Sequence, residues 1–278
     1  MEYLTLFAGA GGALFLAMVL HEERRLVARL QPGLLLLAGV AGSAAILDVG
    51  LHGAALAAEP AGLLTGRAWL AGLASPRGLT SSVIVAGMGF VALAVAARGA
   101  VAAMLASVAG AALSALALAF GSEASLDDPA WLSFAMVLLH GLASLTLVGA
   151  VWPLLVTLTT QPAETCVRIL RTGRPVLATA LAVVLATGIL LSPLGISDPD
   201  AVTGTSYGLL WLAKVLLSAI LVALLARQAY HRTSLLRRVD DSPRSMRGRV
   251  LIDGLVLAAL VVVSVVMEVT QGSNPYQE

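Results

Sequence analysis

The apolar residues of this chain fall into about eight long runs separated by short polar connections. A hydrocarbon core about 30 Å thick is crossed by roughly 20 helical residues at about 1.5 Å each. Runs of that length therefore read as membrane spans. Backbone N–H and C=O groups find no water in lipid, so a continuous apolar run can satisfy them only as a helix. The strict alternation that marks a membrane barrel strand is missing. The expected spans are 3–20, 32–58, 78–97, 100–120, 131–159, 175–196, 207–227 and 250–269. Only 12% of the 278 residues are charged, against about 25% in a soluble domain. The spans thus consume most of the length, and residues 1–278 read as one integral membrane domain, an all-α polytopic bundle in contact with the lipid bilayer.

The arginines report orientation. Arg24, Arg25 and Arg29 follow the first span, Arg98 the third, and Arg168, Arg171 and Arg174 the fifth. Six more, Arg232 to Arg249, follow the seventh. The alternate connections hold Arg67 and Arg77 and are otherwise acidic, with Glu59, Glu123, Asp127, Asp128, Asp198 and Asp200. Basic connections stay in the cytoplasm, so both termini are expected outside. The first span is followed by His21-Glu22-Glu23-Arg24-Arg25 and has no positive residue before it. That is the reverse of a signal peptide's charge order, so it reads as a retained helix. The stretch 59–77 is too short in apolar residues to cross and reads as an amphipathic segment on the outer surface. A net charge of +1 gives no basic surface for nucleic acid. The single Cys166, placed in a polar loop, excludes a disulfide framework.

An ionisable side chain at the bilayer centre costs about 2.5–3.5 kcal/mol on insertion scales, so the few found inside the spans point to function. They are Asp48 and His52 in span two, His140 in span five, Lys214 in span seven and Glu268 at the end of span eight. Asp48 and His52 stand four residues apart and share a helix face, as do Met136 and His140. All five ionisable groups fall in the outer half of their spans, so a common outward-facing site is expected if those faces converge. A thioether beside an imidazole suits a soft or borderline ion such as Cu(I). Soluble-type catalytic motifs are missing from the sequence: there is no HExxH, no CxxC and no phosphate-binding glycine loop.

Three stretches carry a family resemblance. Thr205-Ser206-Tyr207-Gly208 with Lys214 is similar to a T-x-Y-G-x5-K pattern opening a seventh helix. His140-Gly141-Leu142-Ala143 is similar to an H-x-x-A helix start. Arg168 to Gly188 is similar to a basic loop entering a helix with a Thr-Gly pair, here Thr187-Gly188. In these the chain resembles the copper resistance D (CopD) family of bacterial inner-membrane proteins, whose architecture is eight helices. Where that family continues with W-x-G-G, this chain has Leu147 and Gly149-Ala150, with Trp152 displaced. The resemblance implies an inner-membrane location and copper uptake, often alongside a periplasmic copper-binding protein. It makes His140, Met136, His52 and Asp48 the candidate metal ligands, with Lys214, Glu268 and Tyr207 in support.

Two further readings follow from the residues. His52 and His140, on different helices, are candidate axial ligands of a bis-histidine haem b, which would make the chain an electron-transfer subunit serving a periplasmic cytochrome. A non-catalytic membrane subunit of a larger complex also fits a chain without a soluble domain. Neither the copper nor the scaffold reading makes the protein an enzyme.

Overall fold

The computed structural model describes residues 2–57, 63, 66–122, 125, 128–191, 206–235 and 243–271. Side chains are described within these ranges except at 2, 207, 225–235, 243–246 and 268–271. The described residues are helical, with no strand among them. In chain order the helices are α1 (Tyr3–Leu20), α2 (Arg24–Leu56), the short α3 (Gly66–Leu73), α4 (Pro76–Ala96), α5 (Ala100–Gly121), α6 (Ala130–Thr160), α7 (Ala163–Leu191), α8 (Ser206–Leu235) and α9 (Pro243–Gln271). Seven of the described helices are long and apolar enough to cross a membrane, and α8 carries a shorter apolar stretch, Gly208–Leu224. That stretch is near the lower limit of roughly 17 residues for a span. The expected bundle of about eight helices is the observed architecture.

Several helices begin earlier than the apolar pattern suggests. α2 starts at Arg24 and carries Pro32 inside it; α7 starts at Ala163 and carries Pro175 inside it. The apolar run marks only the part of a helix that lies in lipid, whereas the helix itself continues through the arginine-bearing turns. Cys166 consequently sits in α7 and not in a polar loop. Its thiol is buried 3.6 Å from the carbonyl oxygens of both Thr157 and Gln161.

The core is assembled around α1, which packs against α2, α4, α5, α6 and α7. Two of its turns, Phe7–Gly11 and Leu16–Leu20, are π-helical. Contact between α1 and α6 is made backbone to backbone: a Cβ on Gly11 would fall 1.7 Å from the Leu145 carbonyl oxygen, and one on Gly149 2.2 Å from the Gly11 carbonyl carbon. Small residues also join α4 to α5 through Gly87, Gly110 and the fully buried Ser114. With no hydrophobic drive between helices in lipid, such close approach supplies dispersion contacts instead. The outward faces are apolar, with Leu36, Leu47, Leu93, Leu105, Ile189 and Leu255 all exposed. Contiguous apolar exposure of this kind is what a bilayer covers.

Hydroxyls inside the bundle are satisfied locally. Ser114, Thr146 and Thr157 donate to the carbonyls four residues earlier, at 2.8, 2.9 and 2.7 Å. Among the described residues no buried side-chain nitrogen or oxygen lacks a hydrogen-bond partner.

Candidate functional site

The first of two polar groupings lies where α2, α3 and α4 meet. Ser75 caps α4: its hydroxyl accepts from the Gly78 N–H at 3.1 Å and donates to the Gly72 carbonyl at 2.6 Å, and Pro76 occupies the first helical position. This start, favoured because proline has no N–H to satisfy there, brings Arg77 opposite Asp48 of α2. The guanidinium forms a fork on the carboxylate, Nε to Oδ2 and Nη2 to Oδ1, both at 2.9 Å. The hydroxyl of Ser81, one turn further along α4, donates to Oδ2 at 3.2 Å.

α3 closes the same corner. A Cβ on Gly53 would lie 1.8 Å from the Ala68 carbonyl oxygen, and one on Gly72 2.2 Å from that of Val49. The Trp69 indole N–H donates to the Leu63 carbonyl at 3.0 Å. The segment expected to lie as an amphipathic stretch on the outer surface is therefore docked through its small residues onto the end of α2, with Leu70 and Leu73 left exposed.

Asp48 and His52 are not bonded to each other. The carboxylate is taken up by Arg77 and Ser81, and no hydrogen bond joins it to His52. The two residues still share a helix face through their spacing.

The second grouping lies between α6 and α7. His140 Nδ1 is 2.9 Å from the hydroxyl oxygen of Thr187. Thr187 in turn donates to the Val183 carbonyl at 2.6 Å. The neighbouring Gly188 lies beside the ring: a Cβ there would be in ordinary contact with Cε1 of His140, at 3.6 Å. Lys214 lies on α8, within its apolar stretch Gly208–Leu224. Met136, one turn before His140 and partly buried like it, shares that face of α6.

These contacts settle which expected residues meet. His140 and Thr187 come together from two helices, with Met136 on the same face of α6 as His140. Asp48 and Arg77 come together elsewhere. α2 packs on α1, α3 and α4 and touches α6 near Gly33 and Trp152, whereas His140 faces α7. No contact among the described residues brings His52 to His140. The side chains of Tyr207 and Glu268 lie outside the described residues, as do Glu59, Glu123, Asp127, Asp198 and Asp200. Among the described residues there is no cluster of three or more His, Cys, Asp or Glu side chains able to hold a metal.

Sequence reasoning singled out Thr187 only as half of a Thr-Gly pair, and Arg77 only as a surface cation. The need of a membrane-embedded Asp48 for a counter-charge was the signal that could have paired Arg77 with it.

Residues 168–269 match the model of a protein family described as Copper resistance protein D (CopD). The match takes in most of α7, all the described residues of α8 and most of α9, and so includes Thr187, Gly188 and Lys214. His140 and Met136 lie before it. Neither the curated proteins nor the solved structures contain a match to the chain.

Proposed function

We propose that this copper-resistance-related, multi-pass inner-membrane protein, whose residues 168–269 match the copper resistance protein D model, takes copper from the periplasmic side and passes it into or across the bundle. Copper here is cargo. His140 is the receiving ligand and Met136 its partner: a neutral imidazole offers one nitrogen lone pair, and the thioether is soft enough to prefer Cu(I) to the hard cations abundant outside the cell. Two donors on one helix give low-coordinate, exchangeable binding, which a carrier needs in order to release what it accepts. The arginine-rich connections lie in the cytoplasm on this reading, and a periplasmic copper-binding protein is the natural donor.

The observation that carries the proposal is the contact between His140 and the Thr187-Gly188 pair. It joins the partly buried imidazole of α6 to a helix of the family-matching segment. Asp48 has a different part. Its two oxygens are engaged by Arg77 and Ser81, so it ties helices together and does not present a free carboxylate to the ion.

The test is elemental analysis of detergent-purified protein after exposure to Cu(I) under reducing conditions. Stoichiometric copper is expected, lost in His140→Ala and weakened in Met136→Leu, with the same variants failing to support copper-dependent growth. Copper binding and uptake unchanged in a well-expressed His140→Ala protein would overturn the assignment. Iron in place of copper, with a sharp absorption band on reduction, would instead make the chain a haem-bearing electron-transfer subunit. Neither metal, with stoichiometric co-purifying partners, would favour a scaffold.

A further inference from the structure

We propose that Thr187 is a positioning residue that fixes the tautomer of His140, placing the ring proton on Nδ1 and leaving the lone pair of Nε2 for a ligand. The argument is one of proton counting. A threonine hydroxyl has a single proton to donate and two lone pairs to accept with. Thr187 Oγ1 lies 2.6 Å from the Val183 carbonyl oxygen and 3.3 Å from that of Val184. Both carbonyls can only accept, so the hydroxyl proton is committed to its own helix.

What Thr187 offers His140 at 2.9 Å is therefore a lone pair. A hydrogen bond across that gap requires the proton to be on Nδ1. A neutral imidazole protonated at Nδ1 has its lone pair on Nε2, the nitrogen on the far side of the ring from Thr187. Which ring nitrogen is available to a metal is commonly set by the bond the other one makes.

The surroundings hold this arrangement in place. Thr187 is buried within α7, so water cannot readily replace it as the Nδ1 partner. The same carbonyl-directed hydroxyl occurs at Ser114, Thr146 and Thr157, but at Thr187 alone among these does a histidine nitrogen occupy the remaining lone pair. Its consequence for copper rests on the function proposed above; the tautomer itself does not.

The experiment is solid-state nitrogen NMR of the metal-free protein in lipid bilayers with 15N-histidine, at a pH where the ring is neutral. The sequence has 4 histidines, and subtraction of the His140→Asn spectrum isolates this one. A protonated Nδ1 and an unprotonated Nε2 are expected in the wild type and in Thr187→Ser, which keeps the hydroxyl. Thr187→Val should move the proton wholly or partly to Nε2. In the same three proteins Cu(I) affinity should fall about tenfold in Thr187→Val and stay near wild type in Thr187→Ser.

A wild-type ring protonated at Nε2, or a Thr187→Val ring with unchanged nitrogen shifts, would overturn the inference. If Thr187→Val does not fold, the wild-type spectrum with Thr187→Ser decides it. A spectrum as expected together with Cu(I) binding indifferent to His140→Ala would leave the tautomer standing and remove the copper reading.

Discussion

A carboxylate in a membrane helix is tolerable only if something answers its charge, and at Asp48 the answer is geometric. Arg77 meets both oxygens at once, with side chains 61% exposed for the arginine and 23% for the aspartate. Pairs this open to solvent contribute modestly, about 1 kcal/mol or less. Asp48→Asn should therefore lower the thermal midpoint in detergent slightly. A double-mutant cycle with Arg77→Gln should return most of the effect as coupling between the two. On the proposed function Cu(I) affinity should stay unchanged, because both carboxylate oxygens are already engaged by Arg77 and Ser81; a marked loss of affinity in Asp48→Asn would return it to the candidate ligand set. The sequence made Asp48 conspicuous by its cost in lipid but could not say what answered it. Arg77 is 29 positions away, and its approach depends on a serine cap and a proline at the start of α4. His140 was legible for the same energetic reason. Its partner Thr187 was not, since a buried threonine in a membrane helix usually bonds only to its own backbone.

At the scale of helices, periodicity and length revealed which segments cross, and glycine positions governed how they meet. Gly149 of α6 sits against Gly11 and Gly12 of α1, with no room for a Cβ on either side. Gly39 of α2 has open space around its missing Cβ. Gly149→Ala should therefore destabilise the bundle by about 1–3 kcal/mol through forced separation of α1 and α6. Gly39→Ala should be neutral or slightly stabilising, since alanine suits a helix better than glycine. Thermal denaturation of the two purified variants beside the parent checks this; equal midpoints would mean that α1 and α6 are not in backbone contact. The gly-rich composition pointed to tight packing without saying which pairs, because every membrane helix here carries small residues on more than one face. The docking of α3 was also hidden. An eight-residue helix has too little periodicity to declare its partner, and its seat is built from Gly50 and Gly53 of another helix.

The whole molecule is a proposal about direction as much as about shape. His140 lies ten residues into α6, about 15 Å from the Ala130 end at helical rise, and the arginine-rich turn lies beyond the other end. On the proposed function, which side of the membrane would deliver copper to it depends on which end faces out. Insertion keeps Lys and Arg in short connections on the cytoplasmic side; the connections after α1 and α6, tied by the ion pair between Arg168 and Glu23, are expected there. With Cys166→Ser as background, single cysteines at Ala130 and Ala163, both exposed, report the two ends. A membrane-impermeant maleimide should label Ala130→Cys in intact spheroplasts and Ala163→Cys only after they are permeabilised. The opposite pattern would invert the bundle and present His140 from the cytoplasm. The site would then keep its ligands and its tautomer, but the protein would collect copper from inside, making it an exporter and removing any role for a periplasmic donor.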